Sequence, residues 1–527
     1  MRAWILSAVI FVIGDATVLA EAPKPVPNEV AAEAKAEAEA KAEAKSVEDA
    51  PEEKSGSKSK PVETKHSVTI NGQPVSYTVK AGKMPIKDAE GKSTAEIFYM
   101  AYTKDGVGDK ASRPVTFSFN GGPGASSVWM HLGLLGPRRV KLEDDGSAPP
   151  PPYQLEDNEH SLLDETDLVF IDPVGTGYSR ATKPEEAKKF HGVQEDARSV
   201  GEFIRLYVTQ NLRWPSPKFL IGESYGTTRA AALSTELMNR HRMNLNGIML
   251  VSTVLDFQTI AAGGNNDLAH VLFLPSFTAA AWHHGRLDAG LQKLPLVDVL
   301  AESEKFAAGD YQLALFQGTS VAPEFRAKVV TEMARLTGLK ADYVEAANLR
   351  PTLARFSVEL LRDKHLQIGR FDGRYTGFVQ DRLTETYERD PSADAIFPVF
   401  AATFNQYVRE ELKVEEDEPY EVLARLGLWN WNAENEYLNV ADELAGTMMR
   451  NPYLKVHVSA GYSDLATPYF AAVHTLNHLK IAPELRKNLV VDYYAAGHMM
   501  FLNKADLIKQ KADLAEFIRG AVEVPAK

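Results

Sequence analysis

Apolar and polar positions along this chain follow two periods that alternate. Ser67 to Lys80 (SVTINGQPVSYTVK) alternates apolar and polar residues about Asn71-Gly72, the pattern of two strands joined by a tight hairpin turn. Ala95 to Thr103 reads as a further strand. Short apolar runs follow at Val115 to Phe119, Leu168 to Asp172, Phe219 to Ile221 and Gly247 to Thr253, with a helical period over Gly192 to Gln210 between two of them. Runs of this kind, separated by helices, predict an α/β fold: a mostly parallel central sheet with helices on both faces.

From 255 to 439 the alternation stops and the sequence reads as chiefly helical. Two more strands, Lys455 to Ala460 and Asn488 to Tyr494, and a closing helix from Lys504 to Val522 come after it. Their position predicts one sheet interrupted once, with 66–254 and 440–527 as two parts of one core and 255–439 as a helical lid over the cleft.

The first 65 residues have a different character. Arg2, an apolar run from Ala3 to Ile13 and small residues near 18–22 predict a signal peptide over 1–22. An Ala/Glu/Lys-rich linker follows over 23–65, with AAEAKAEAEAKAEAK at Ala31 to Lys45. It has high helix propensity but no apolar face to bury. The apolar run is too short to span a bilayer. The expectation is an exported protein, periplasmic or secreted, with no stable membrane insertion after signal cleavage. The chain has no cysteine, which excludes a thiol nucleophile and cysteine-ligated metals. Its net charge of -13 comes with no basic block, so nucleic acid is not expected as a partner.

Candidate chemistry centres on Phe219 to Ala230, FLIGESYGTTRA. An apolar strand runs into Gly222-Glu223-Ser224-Tyr225-Gly226 and a helical segment leaves it, the context of a nucleophile elbow. An activated serine needs a general base and a group that orients that base, at strand ends in the order serine, acid, histidine. Asp464 follows the strand that starts at Lys455, and His498 follows the one that starts at Asn488. Either alone has an ordinary explanation, Asp464 as a helix N-cap and His498 as a turn residue. Together with Ser224 they point to a catalytic triad.

Other motifs carry less. The glycine-rich Asn120 to Ser127 lacks the Gly-Lys-Ser/Thr continuation of a phosphate loop. His474 and His478 stand four apart without the glutamate of a zinc protease, and the adjacent His283 and His284 cannot face one way from a regular element. No metal or organic cofactor is expected.

Five stretches resemble the serine carboxypeptidase family of the α/β-hydrolase superfamily. They are Asn120-Gly-Gly-Pro-Gly-Ala-Ser-Ser127, Asp172-Pro-Val-Gly-Thr-Gly-Tyr-Ser179, Gly222-Glu-Ser-Tyr-Gly226, Asp464 after Ala460-Gly461, and Ala496-Gly-His-Met499. Because the helical insertion agrees less closely, the chain looks like a divergent bacterial-type member. The resemblance implies a triad of Ser224, Asp464 and His498, with the Gly122 and Tyr225 amides as oxyanion hole. It also implies substrate-carboxylate binding by Asn120 and Glu223, and Met499 in the substrate pocket. Where the family commonly places a second glutamate before Leu-Gly-Pro, this chain has Leu134 ahead of Leu135-Gly136-Pro137.

The expected activity is a serine-type carboxypeptidase that acts through an acyl-enzyme on peptides with a free C-terminus. It should favour acidic pH, because Glu223 must be protonated to share a hydrogen bond with a carboxylate. The altered carboxylate site leaves an esterase or acyltransferase as the alternative. A non-catalytic envelope binding protein is the reading from another class.

Overall fold

The structure is a computed structural model that describes residues 60–523 apart from 264 and 428. The expected signal peptide and nearly all of the expected linker lie outside the described residues. The first strand, β1 (Val62–Ile70), begins inside the stretch read as linker. It is an edge strand whose Glu63, Lys65 and Ser67 face solvent, and this polar face looks like spacer in composition.

β1 pairs with β2 (Gln73–Lys87) through the Asn71-Gly72 turn, with Ile70 opposite Gln73. Both turn residues have positive φ, 50° and 75°, as a two-residue hairpin turn requires. β3 (Ser93–Lys104) completes an antiparallel meander. The strands β4 (Val115–Phe119), β5 (Asp167–Ile171), β6 (Lys218–Glu223), β7 (Gly247–Val251), β8 (Lys455–Gly461) and β9 (Leu489–Tyr494) run parallel to one another, and β5 joins them antiparallel to β3. The strand order is β1-β2-β3-β5-β4-β6-β7-β8-β9, with the two-residue strand Arg180–Ala181 beside β3.

The central strands bury alternate residues in two separate layers. Phe219 and Ile221 of β6 and Met249 and Val251 of β7 join one layer, and Leu220, Ile248 and Leu250 join the other. Helices α1 (Val193–Gln210) and α2 (Tyr225–His241) cover the second face. On the first face, the closing helix Lys504–Val522 supplies Leu507, Leu514, Phe517 and Ile518. Burial on both faces is why these strands read as unbroken apolar runs.

Between β7 and β8 the chain builds helix α3 (Asp267–His283) and several shorter helices around their own apolar core. A small hairpin, Leu366–Ile368 with Thr376–Phe378, and helix α4 (Pro391–Glu410) come next. Among the described residues, 412–440 carry no helix, which corrects the expectation of a chiefly helical segment through 439. This stretch is a strap over the sheet's carboxyl edge. The Ala424 amide donates to the Gly124 carbonyl at 2.8 Å, the Ser126 amide to Val422 at 3.1 Å, and the Val193 amide to Asn430 at 3.1 Å. Its backbone bonds go to loops and not to its own turns, so no helical period is needed.

Candidate active site

β6 delivers Glu223 to the carboxyl edge of the sheet and α2 begins at Tyr225. Ser224 between them has φ 60° and ψ −130°, a backbone conformation that costs about 1–3 kcal/mol for a residue with a Cβ. The tightness of the turn dictates its glycines. A Cβ on Gly222 would stand 2.2 Å from the Gly226 carbonyl oxygen, and one on Gly121 would stand 2.4 Å from the Tyr225 nitrogen. The Ser224 amide donates to the Val251 carbonyl at 2.9 Å. Ser224 is half-buried, while Glu223 and Tyr225 on either side are buried.

β8 and β9 end beside this turn and bring in the acid and the histidine. Asp464 is fully buried, and its Oδ2 lies 2.8 Å from His498 Nδ1. The amides of Ala466 and Thr467 donate to its Oδ1 at 2.8 and 2.9 Å, and the Thr467 hydroxyl donates to Oδ2 at 2.7 Å. With this many donors the carboxylate is held in one orientation. The His498 loop is braced on three sides. Its amide donates to the Phe371 carbonyl at 2.6 Å, its carbonyl accepts from the Ser252 hydroxyl at 2.6 Å, and the Ala496 amide donates to Asp506 at 2.8 Å. The Phe371 ring stacks on the imidazole, centroids 5.2 Å apart.

His498 Nε2 makes no hydrogen bond to Ser224 or to any other described group, and stands 3.3 Å from Glu223 Oε1. Burial works against the imidazolium, but the charge and hydrogen bond of Asp464, with Glu223 behind them, outweigh it and hold the His498 pKa above its ordinary value. Burial also raises the Glu223 pKa, with Asp464 adding to it and His498 and Asn120 opposing.

Asn120 closes β4 and is fully buried. The Met130 amide donates to its Oδ1 at 3.1 Å, which turns its Nδ2 toward Glu223 Oε2 at 2.8 Å. The Gly122 and Tyr225 amides donate no hydrogen bond among the described residues. Two free amides beside a strained serine can receive a developing oxyanion.

Two groups at this site were not read from the sequence. Arg229, one turn into α2, is buried and donates from Nη1 to the Asn120 carbonyl and from Nε to Asp196 Oδ2 at 2.7 Å. Its guanidinium lies 5.3 Å from the ring centroids of both Phe119 and Tyr225, so it ties the Asn120 loop to the serine helix. A charged residue inside an alanine-rich apolar helix face was the available signal. The second group is the segment Gly369 to Tyr375 behind His498, marked in sequence only by glycines and arginines inside a helical region.

Met499 is 6% exposed and packs in the buried layer that contains Trp129 and Phe501. Leu134 is buried in a π-helical turn, Met130–Leu135. His474 and His478 stack on each other 4.1 Å apart, and His284 Nε2 lies 2.8 Å from the Gly373 carbonyl. Among the described residues no cluster of three or more His, Asp or Glu could hold a metal, and no helix is long and apolar enough to cross a membrane.

Residues 71–288 match the family model described as serine carboxypeptidase. Serine carboxypeptidase-like 45 of Arabidopsis thaliana is 24% identical over 220 residues, 37% of this chain and 43% of that protein. The pheromone-processing carboxypeptidase KEX1 of Saccharomyces cerevisiae is 30% identical over 175 residues, 31% of this chain and 23% of that protein. The match thus spans less than half of the length of these relatives. The crystal structure of the yeast Kex1 prohormone-processing carboxypeptidase superimposes with a TM-score of 0.50 at 16% identity, covering 84% of this chain and 92% of that one. The shared fold is that of the α/β-hydrolases.

Proposed function

We propose that this chain, a relative of the serine carboxypeptidases, hydrolyses C-terminal peptide bonds through Ser224, His498 and Asp464. The Ser224 hydroxyl attacks the scissile carbonyl as His498 Nε2 takes its proton, and the Gly122 and Tyr225 amides receive the oxyanion. His498 returns the proton to the leaving amine and leaves an acyl-enzyme on Ser224. Water, deprotonated by His498, releases the shortened peptide. Asp464 keeps the Nδ1 proton in place and stabilises the imidazolium. The observation that carries the peptidase reading is the 2.8 Å bond between Asn120 Nδ2 and Glu223 Oε2 beside the serine. A protonated Glu223 and the Asn120 amide offer donors to a substrate carboxylate next to the scissile bond, and acidic pH favours that form.

Leu134, apolar and buried where the family pattern has a second carboxyl, favours one rival: an esterase or acyltransferase with the same triad and no need for a free C-terminus. The test is a pH–rate profile on an N-blocked dipeptide, its C-terminal amide and a simple ester, with Ser224→Ala as control. Cleavage of the free acid, strongest at acidic pH and lost in the amide and the mutant, is the expected result. Ester hydrolysis that depends on Ser224, without preference for a free carboxylate, supports the rival. The residues ahead of 60 support export as the setting for this activity.

A further inference from the structure

Arg370 is the one arginine among the described residues that is not exposed and whose side chain has neither an ion pair nor a hydrogen bond. All other arginines without such a partner (Arg198, Arg242, Arg382 and Arg425) are exposed. A guanidinium that no protein acceptor claims is free to hold an anion that the site binds.

The position of Arg370 is fixed by its surroundings. Its amide donates to Asp390 Oδ1 at 3.0 Å, and its carbonyl accepts from the amide of Leu465, the neighbour of Asp464, at 3.1 Å. Its guanidinium lies 5.4 Å from the Phe371 ring centroid, and that ring stacks on His498. The one carboxylate close in sequence, Asp372, is taken by Arg374, whose Nη2 stands 2.7 Å from Asp372 Oδ2, and by the Gly497 amide. Arg370 is therefore left over, and its charge is felt at His498, where it opposes protonation.

Resting on the peptidase reading above, we propose that Arg370 binds the free C-terminal carboxylate of the substrate and supplies the anion recognition that Leu134 cannot. His498 must protonate the leaving amine, so the carboxylate of the departing residue lies on the histidine side of the site, the side on which the Phe371–His498 stack carries the guanidinium. A guanidinium holds a carboxylate with two parallel N–H donors at any pH an enzyme meets. Glu223 then contributes one neutral hydrogen bond and no longer has to meet the substrate's charge alone.

The experiment compares wild type, Arg370→Gln and Arg370→Lys in the full chain. Specificity constants are measured for N-blocked dipeptides ending in an apolar and in an acidic residue, each against its C-terminal amide, with thermal midpoints recorded alongside. Arg370→Gln is expected to reduce the preference for free acid over amide roughly 10- to 100-fold, chiefly through KM. Arg370→Lys keeps the charge without the fork and falls between; it also serves if the glutamine variant does not fold. A folded variant whose preference equals that of wild type overturns the role of Arg370 and leaves the peptidase reading standing. A wild type with no preference for the free acid overturns both. A loss confined to substrates with an acidic C-terminal side chain overturns carboxylate recognition in favour of side-chain selection.

Discussion

His498 Nε2 stands 3.3 Å from Glu223 Oε1, so the proposed general base and the carboxyl proposed to meet the substrate share one buried environment. Two groups this close titrate as a pair. With one proton between them they form either an ion pair or a neutral acid beside a neutral imidazole, and only the second arrangement offers both a base for Ser224 and a donor for a carboxylate. Adding a proton charges the histidine and removes the base. Losing the proton leaves Glu223 ionised against the substrate.

The free-acid activity should therefore be bell-shaped in pH, and Glu223→Gln should abolish the alkaline limb alone. Glutamine donates at every pH, so the alkaline limb due to Glu223 disappears. On the acid side Glu223 already carries its proton, so glutamine removes no charge there, and the acid limb, set by His498 with Asp464 beside it, stays in place. Profiles of kcat/KM on an N-blocked dipeptide decide the matter. Coincident alkaline limbs in wild type and variant contradict the coupling.

Arg229 joins the Asn120 carbonyl to Asp196, and burial raises the Asp196 pKa against the opposing charge of Arg229. Arg229→Met leaves Asp196 buried without a partner, and the expected cost is about 3–5 kcal/mol of stability. The double variant Asp196→Ala/Arg229→Met recovers much of that stability because neither charge remains. Its kcat is expected to stay low, since the Asn120–Gly122 loop is no longer tied to the serine helix. Full recovery of kcat together with the thermal midpoint assigns Arg229 a purely structural part.

What was legible in the sequence follows from burial. β4, β6, β7 and β8 are buried on both faces and stand out as apolar runs bounded by turns. Ser224 and Asp464 follow directly on such a run or on the short turn after it, and His498 follows the partly buried edge strand β9. The first half of β1, 62–65, was read as linker because one of its faces is solvated and charged. The strap at 412–440 was misread because its tryptophans and leucines serve contacts with distant loops: Leu426 stands against Gly124 and Gly175, and Trp429 and Trp431 against Tyr225. Contacts of that kind leave no period. Arg370 and Arg229 were missed for a related reason, since the lack of a partner for one and the acceptors of the other are set by tertiary structure alone.

Asp172 closes β5 fully buried, accepting from the Ser127 amide at 2.8 Å and the Ser127 hydroxyl at 2.7 Å. Burial outweighs these bonds and pushes its pKa up to about 6. The folded state therefore holds the proton more tightly than the unfolded chain. The stability this gives is complete below the unfolded pKa near 4 and is lost as pH rises through about 6. Asp172→Asn keeps an acceptor for Ser127 and carries no charge. Relative to wild type it should gain about 2–3 kcal/mol between roughly pH 4 and pH 8, measured by denaturant unfolding at both pH values. An equal difference at both overturns the assignment.

Asp464→Asn tests whether the acid orients His498 or only packs against it. Asparagine can still accept from the Ala466 and Thr467 amides through its oxygen, so the turn that follows β8 should persist. Its amide nitrogen then occupies the place of Oδ2, where it can only donate toward His498 Nδ1. The ring must carry its proton on Nε2 instead, which is the wrong tautomer to accept from Ser224. The loss expected in kcat is about 1,000- to 10,000-fold near neutral pH. The His498 pKa also falls without the Asp464 charge that holds it up, so the acid limb of the residual activity should move to lower pH. A tenfold loss or less, with the acid limb unmoved, means that Asp464 does not set the protonation of His498, and another group must be sought as its partner.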